Sequence, residues 1–248
     1  MKIYTDYEII DGVFTPASLE IEGIVDLRHS DTITSLPSGM VIEGSLRIGH
    51  CGIKNIPTNT IVHGALDLTY SVVESISSGV VVNDVFIAGN CKITTLPKDI
   101  VLNGSIDLAG SLITNIEHLK HVKGFLDLEN TSIKVLPSGL IVDRWMSLLG
   151  TNITKIPDDL SCGELFLNAD ITNYPVVYNC GDSNRAIYLT LEDKNLIQIG
   201  CTAYDKDTAI EKIFEKYFDA PDERDKYIAK VEECYALYET LKEQGVMK

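Results

Sequence analysis

The chain has 248 residues, 45% of them hydrophobic, which supplies a core and excludes wholesale disorder. Its 36 acidic and 21 basic residues give a formal net charge of -15. That balance argues against binding nucleic acid or an anionic membrane surface, since both draw on Lys and Arg clusters.

The opening MKIYTDYEIIDG lacks the basic-then-apolar order of a signal peptide, and no apolar run matches a bilayer span. A soluble cytoplasmic chain is therefore expected. Residues 1–14 read as a strand or hairpin that caps the segment after it.

A repeat then dominates. Six blocks of 20 residues run without insertion from Leu36, Ile56, Ile76, Leu96, Ile116 and Leu136. A looser block precedes them from Thr15, and a shortened one runs from Ile156 to near Tyr174. Numbered within a block, position 1 is Leu or Ile and position 2 is usually Pro. Of the 8 prolines, seven (Pro16, Pro37, Pro57, Pro97, Pro137, Pro157 and Pro175) mark block starts, which suits turns because Pro fixes φ and lacks an N–H. Glycine recurs at position 9 (Gly23, Gly44, Gly64, Gly104, Gly124, Gly163) and is expected at a corner with positive φ. Asp84 and Arg144 break that column, so their corners are expected to differ.

Positions 11 and 13 are mostly apolar, as in Leu46 and Ile48, and read as a strand with those side chains inward. Stacked copies predict a parallel sheet along one face of a solenoid. Position 16 is always small: Cys51, Ser71, Cys91, Ser111, Thr131 and Thr151. This column is expected to satisfy backbone groups of neighbouring coils.

After Tyr174 the repeat stops. Segments 186–191 and 196–204 predict two strands around Glu192-Asp193-Lys194-Asn195. A helix is expected with Asp205 or Asp207 near its cap, broken by Pro221, and a second from about Asp222. The expected organisation is a cap over 1–14, a β-rich solenoid of about eight coils over 15–175, and a ββαα unit over 176–248. That unit is expected to cap the solenoid, with a separate interaction module as the alternative.

The string LDLENTSIKVLP, from Leu126 to Pro137, resembles the leucine-rich repeat, closest to the short bacterial kind with a Leu-Pro pair per repeat. The family's usual ladder Asn is replaced here by Cys, Ser or Thr. The phrase LPSGLIV is also similar to repeats in phage and prophage proteins. The resemblance spans roughly residues 15–175. It implies binding to another macromolecule, and a phage origin makes a host enzyme or defence component the natural target. The tail is too short for the ubiquitin-ligase domain of some related secreted effectors.

The six cysteines form no zinc-type spacing. Cys51 and Cys91 lie two coils apart, about 9.6 Å at about 4.8 Å per coil, beyond disulfide reach. All six are expected to be reduced, and neither Cys201 nor Cys234 has a nearby His to activate it. The basic stretch from His118 to Lys123 reads as a solvated turn. No cofactor and no metal are expected, and no catalytic constellation is found.

Outward strand positions carry the candidate site. Position 12 reads Asp26, Arg47, Asp67, Ile87, Asp107, Asp127, Ser147, and position 10 reads Ser45, Ala65, Val85, Ser105, Phe125, Trp145. Phe125, Trp145, Leu149 and Phe166, edged by Asp107, Asp127 and Glu129, are expected to form a partner-binding patch, with coverage of the rings by the C-terminal helices as an equal alternative. The function expected is non-catalytic protein binding to a partner with a basic surface, self-association included. An acidic decoy imitating DNA and a polysaccharide-active β-solenoid enzyme are the two alternatives; a calcium site at the acids would belong to the latter.

Overall fold

The computed structural model describes residues 2–167, 170–178, 186–191, 193–200 and 202–247. Stacked coils pair at a register of 20 residues: Leu46 with Leu66, Leu66 with Phe86, Phe86 with Ile106, Ile106 with Leu126. The chain is a β-solenoid. The last two coils carry one longer strand each, Asn55–Ile56 and Ser75–Ile76 add a separate parallel pair, and most coils carry two short strands rather than the single one that alternation predicts. One, at positions 11–12, builds the major sheet, from Val25–Asp26 to Ile141–Ser147 and Ser161–Phe166. The other, at positions 6–7, builds a minor parallel sheet of Glu20–Ile21, Val41–Ile42, Ile61–Val62, Val81–Val82 and Val101–Leu102.

The core follows the repeat. Positions 11, 13 and 18 are buried in coil after coil, for example Leu126, Leu128 and Ile133, each 0% exposed. A single coil has no second layer to cover these side chains; its neighbours above and below supply it.

The glycine column works differently from expectation. Only Gly23 has positive φ; Gly44, Gly64, Gly104, Gly124 and Gly163 do not. The cause is contact between coils. A Cβ on Gly64 would fall 2.8 Å from the Gly44 carbonyl oxygen, and one on Gly163 would fall 2.7 Å from that of Arg144. Positive φ sits instead at position 15 (His29, His50, Tyr70, Asn90, Gly110, Asn130, Gly150) and at position 4 (Gly39, Asn59, Gly79, Gly139). Of the two departures at position 9, Asp84 keeps the ordinary corner, while the Arg144 corner is straightened into the seven-residue strand Ile141–Ser147.

The position-16 column is buried as expected, but its hydroxyls bond within their own coil. Thr131 and Thr151 donate to the carbonyls of Leu128 and Leu148, and Ser71 accepts from the Val73 N–H. The two threonines reach back three residues over their own turn, while the buried Ser111 hydroxyl has no partner among the described residues.

The N-terminal hairpin, Tyr7–Ile10 with Val13–Pro16, turns at Asp11-Gly12, both with positive φ. It lies against the first coil through the Val13–Ser35 bridge and the buried ring of Phe14.

At the other end a four-stranded antiparallel sheet runs Val176–Val177, Ile187–Leu189, Leu196–Ile199, Thr202–Asp205. The expected second strand is thus two strands folded at Gly200, with φ +65°. Helices α1 (Lys206–Lys216) and α2 (Pro221–Glu243) come next. The sheet serves two cores. Val176 and Tyr188 face the solenoid, while Val177, Ile187, Leu189 and Ile197 pack with Ala209, Ile213, Val231 and Cys234 of the helices. Lys194 clasps the edge: its Nζ donates to the Tyr174 hydroxyl and to the carbonyls of Thr190 and Leu191, at 2.7–2.8 Å. Burial pulls its pKa down to about 8.

Candidate recognition surface

Strand alternation turns Leu126 and Met146 inward and their neighbours Phe125 and Trp145 outward on the major sheet. Rings one coil apart on a parallel sheet stack without adjustment. Phe125 and Trp145 lie 4.5 Å apart at 3° to parallel. The next coil is one residue shorter: Val142 pairs with Cys162 but Trp145 with Glu164. That shift sets Phe166 opposite Ser147, where its ring meets Trp145 edge-on at 6.0 Å and 84°. The result is a three-ring ladder in which Phe125 and Trp145 are half-buried and Phe166 is 39% exposed. Leu149 is also exposed. Helices α1 and α2 pack on the C-terminal sheet, away from these rings.

The acids at position 12 have a local task. Asp67, Asp107 and Asp127 each accept the N–H two residues ahead, at 2.9–3.0 Å, closing the turn that leaves the strand. Asp26 accepts the Arg28 N–H in the same way, at 3.3 Å, and also binds the Arg28 guanidinium, which holds its carboxyl below the usual range. Asp107 and Asp127 have no such cation among the described residues. Burial pushes both carboxyls up, and the charge of Asp127 raises Asp107 further, as Glu129 raises Asp127. Partly dehydrated carboxylates without a counter-ion beside stacked rings form a surface that a cation on a partner would complete.

The basic stretch is less solvated than expected. Leu119 and Val122 are buried, and His118 Nε2 is enclosed without a partner among the described residues; burial lowers its pKa. His121 pairs with Asp143 at 2.7 Å. Among the described residues no group of three His, Cys, Asp or Glu side chains is placed to hold a metal ion. Cys51, Cys91 and Cys162 are free thiols, and Cys234 is buried with its Sγ on the Pro175 carbonyl; Cys180 and Cys201 lie outside the described residues, as does Glu192 of the expected turn. No helix among the described residues is long and apolar enough to cross a membrane.

A second ring stack was missed in the sequence. His29, His50 and Tyr70 stack at 5.0 Å and 5.3 Å in the positive-φ column. Its signal was present: three ring-bearing residues at position 15 of successive blocks.

Comparison with family models, with curated proteins and with solved structures found no match to the chain.

Proposed function

We propose that this chain is a non-catalytic protein-binding solenoid of the leucine-rich-repeat kind, acting through the C-terminal coils of its major sheet. The observation that carries this reading is the Phe125–Trp145–Phe166 ladder on an outward face, with Asp107, Asp127 and Glu129 beside it. Aromatic anchors with an acidic rim suit a partner surface rich in Arg or Lys. The repeat's likeness to phage and prophage sequences supports a cytoplasmic inhibitor of a bacterial host enzyme. The test is retention of host proteins on the immobilised chain, repeated with Trp145→Ala and at rising salt. Specific retention lost on Trp145→Ala supports the reading. Retention that ignores the substitution but collapses with salt favours the acidic decoy instead.

A further inference from the structure

The minor sheet has an outward column that the major sheet lacks. Position 6 reads Val41, Ile61, Val81, Val101, then His121 and Ile141. The first four pair directly, rung on rung, and Ile141 pairs with His121. Their neighbours Ile42, Val62 and Val82 point into the core at 0% exposure, so this column points out. Val101 is 43% and Ile141 42% exposed; Val41, Ile61 and Val81 are half-covered by one another. Strand propensity explains β-branched side chains here, but Thr would meet it equally well and would suit water better. A flat stripe of Val and Ile on a sheet face is the surface that packs against another sheet.

Beside it runs position 8: Glu22, Glu43, His63, Asn83, Asn103, Lys123 and Asp143. In the middle the amides are linked, Asn103 donating to Asn83, whose own amide meets His63 Nδ1 at 2.9 Å. Glu43 and Lys123 stand two coils either side of Asn83, both exposed. Lys123 makes no ion pair with any described residue, and Glu43 reaches only His63, at 3.8 Å.

We propose that this face joins two copies of the chain, sheet against sheet, about a two-fold axis through Val81 and Asn83. The axis runs along the strand direction, which reverses coil order but keeps columns aligned. Val81 then meets Val81 of the partner subunit, and Ile61 meets Val101 of the partner subunit. Glu43 meets Lys123 of the partner subunit, twice by symmetry. Glu43 and Lys123 each gain an opposite charge and the stripe meets its own copy, while Asp143 meets Glu22 of the partner subunit, a like-charged pair three coils from the axis. This surface is separate from the ring ladder, so pairing leaves the proposed recognition site open.

The test is mass in solution by sedimentation or light scattering across protein concentration. The chain is expected to approach twice 27.3 kDa as concentration rises. Val81→Lys puts two like charges on the axis and should hold the chain at monomer mass, with an unchanged circular-dichroism spectrum because the side chain points away from the core. Glu43→Lys should shift the dimer midpoint at least about tenfold upward, the effect of about 1.4 kcal/mol. Adding Lys123→Glu to it should restore the midpoint. A wild type that stays monomeric at the highest soluble concentration overturns the proposal. So does a dimer indifferent to Val81→Lys, or one that Lys123→Glu fails to restore.

Discussion

The backbone N–H of Leu165, on the last strand of the major sheet, donates to the Tyr188 hydroxyl at 2.7 Å. A strand at the end of a parallel stack has no further coil to accept its amides. Here a side chain from the C-terminal sheet does so, and the same ring packs into the solenoid core.

Tyr188→Phe should therefore cost about 1–2 kcal/mol, the penalty of a buried N–H left without an acceptor. Chemical denaturation measures it. Removing residues 205–248 strips the helices that support this sheet and should lower the unfolding midpoint and promote aggregation. A truncated chain that melts as before makes the unit independent of the solenoid.

Trp145→Ala should weaken partner binding by about 2 kcal/mol or more, as for a central aromatic anchor. Calorimetric titration against the retained partner gives the number. If binding is normal and only the melt falls, the ring serves the fold alone.

Asp107→Asn and Asp127→Asn should each raise the melting midpoint at neutral pH. The amide oxygen can still accept the N–H of Ala109 or Glu129, while the dehydrated charge is gone. The sign comes from the raised pKa. Above the ordinary carboxyl range the folded chain still holds protons that the unfolded chain has lost, so stability falls as pH rises through that window. The advantage of each Asn should therefore shrink as pH drops below it. A melt series over acid to neutral pH checks both the gain and its loss.

Glycines of the two kinds should respond differently to Ala. Gly39 has positive φ but open space around its would-be Cβ, so Gly39→Ala should cost about 1–2 kcal/mol of backbone strain. Gly104→Ala should cost more, because its Cβ would overlap the Asp84 carbonyl of the coil below. Equal losses would contradict the inter-coil contact.

Native thiols should resist alkylation. Burial raises the pKa of Cys51 and Cys91 and pushes Cys162 up to about 12, so little thiolate exists at neutral pH. After denaturation all six should react, as free thiols.

Coil length, core columns and strand register were legible because each coil repeats the same contacts at the same spacing. Leu46 and Ile48 alternate around a polar residue, so the major sheet announced itself. Val41–Ile42 and Val81–Val82 do not alternate, since an outward aliphatic sits next to an inward one; the minor sheet was invisible for that reason. The position-9 glycines misled because their constraint lies in the next coil, whereas positive φ is a local property. The ring ladder was legible as a column, but Phe166 reached it only through the one-residue shift between Val142 and Trp145, which depends on pairing.

The twenty-residue register also sets how this chain comes apart. Each coil leans mainly on the coils just before and after it, so opening can begin at an end and stop partway. The ring ladder sits on the coils nearest the C-terminal unit, so loss of that unit exposes the proposed recognition surface to fraying first. A partner bound there would hold the end coils closed, and its presence would register as slowed amide exchange and protease cleavage near residues 141–166 while the coils around Leu46 change little.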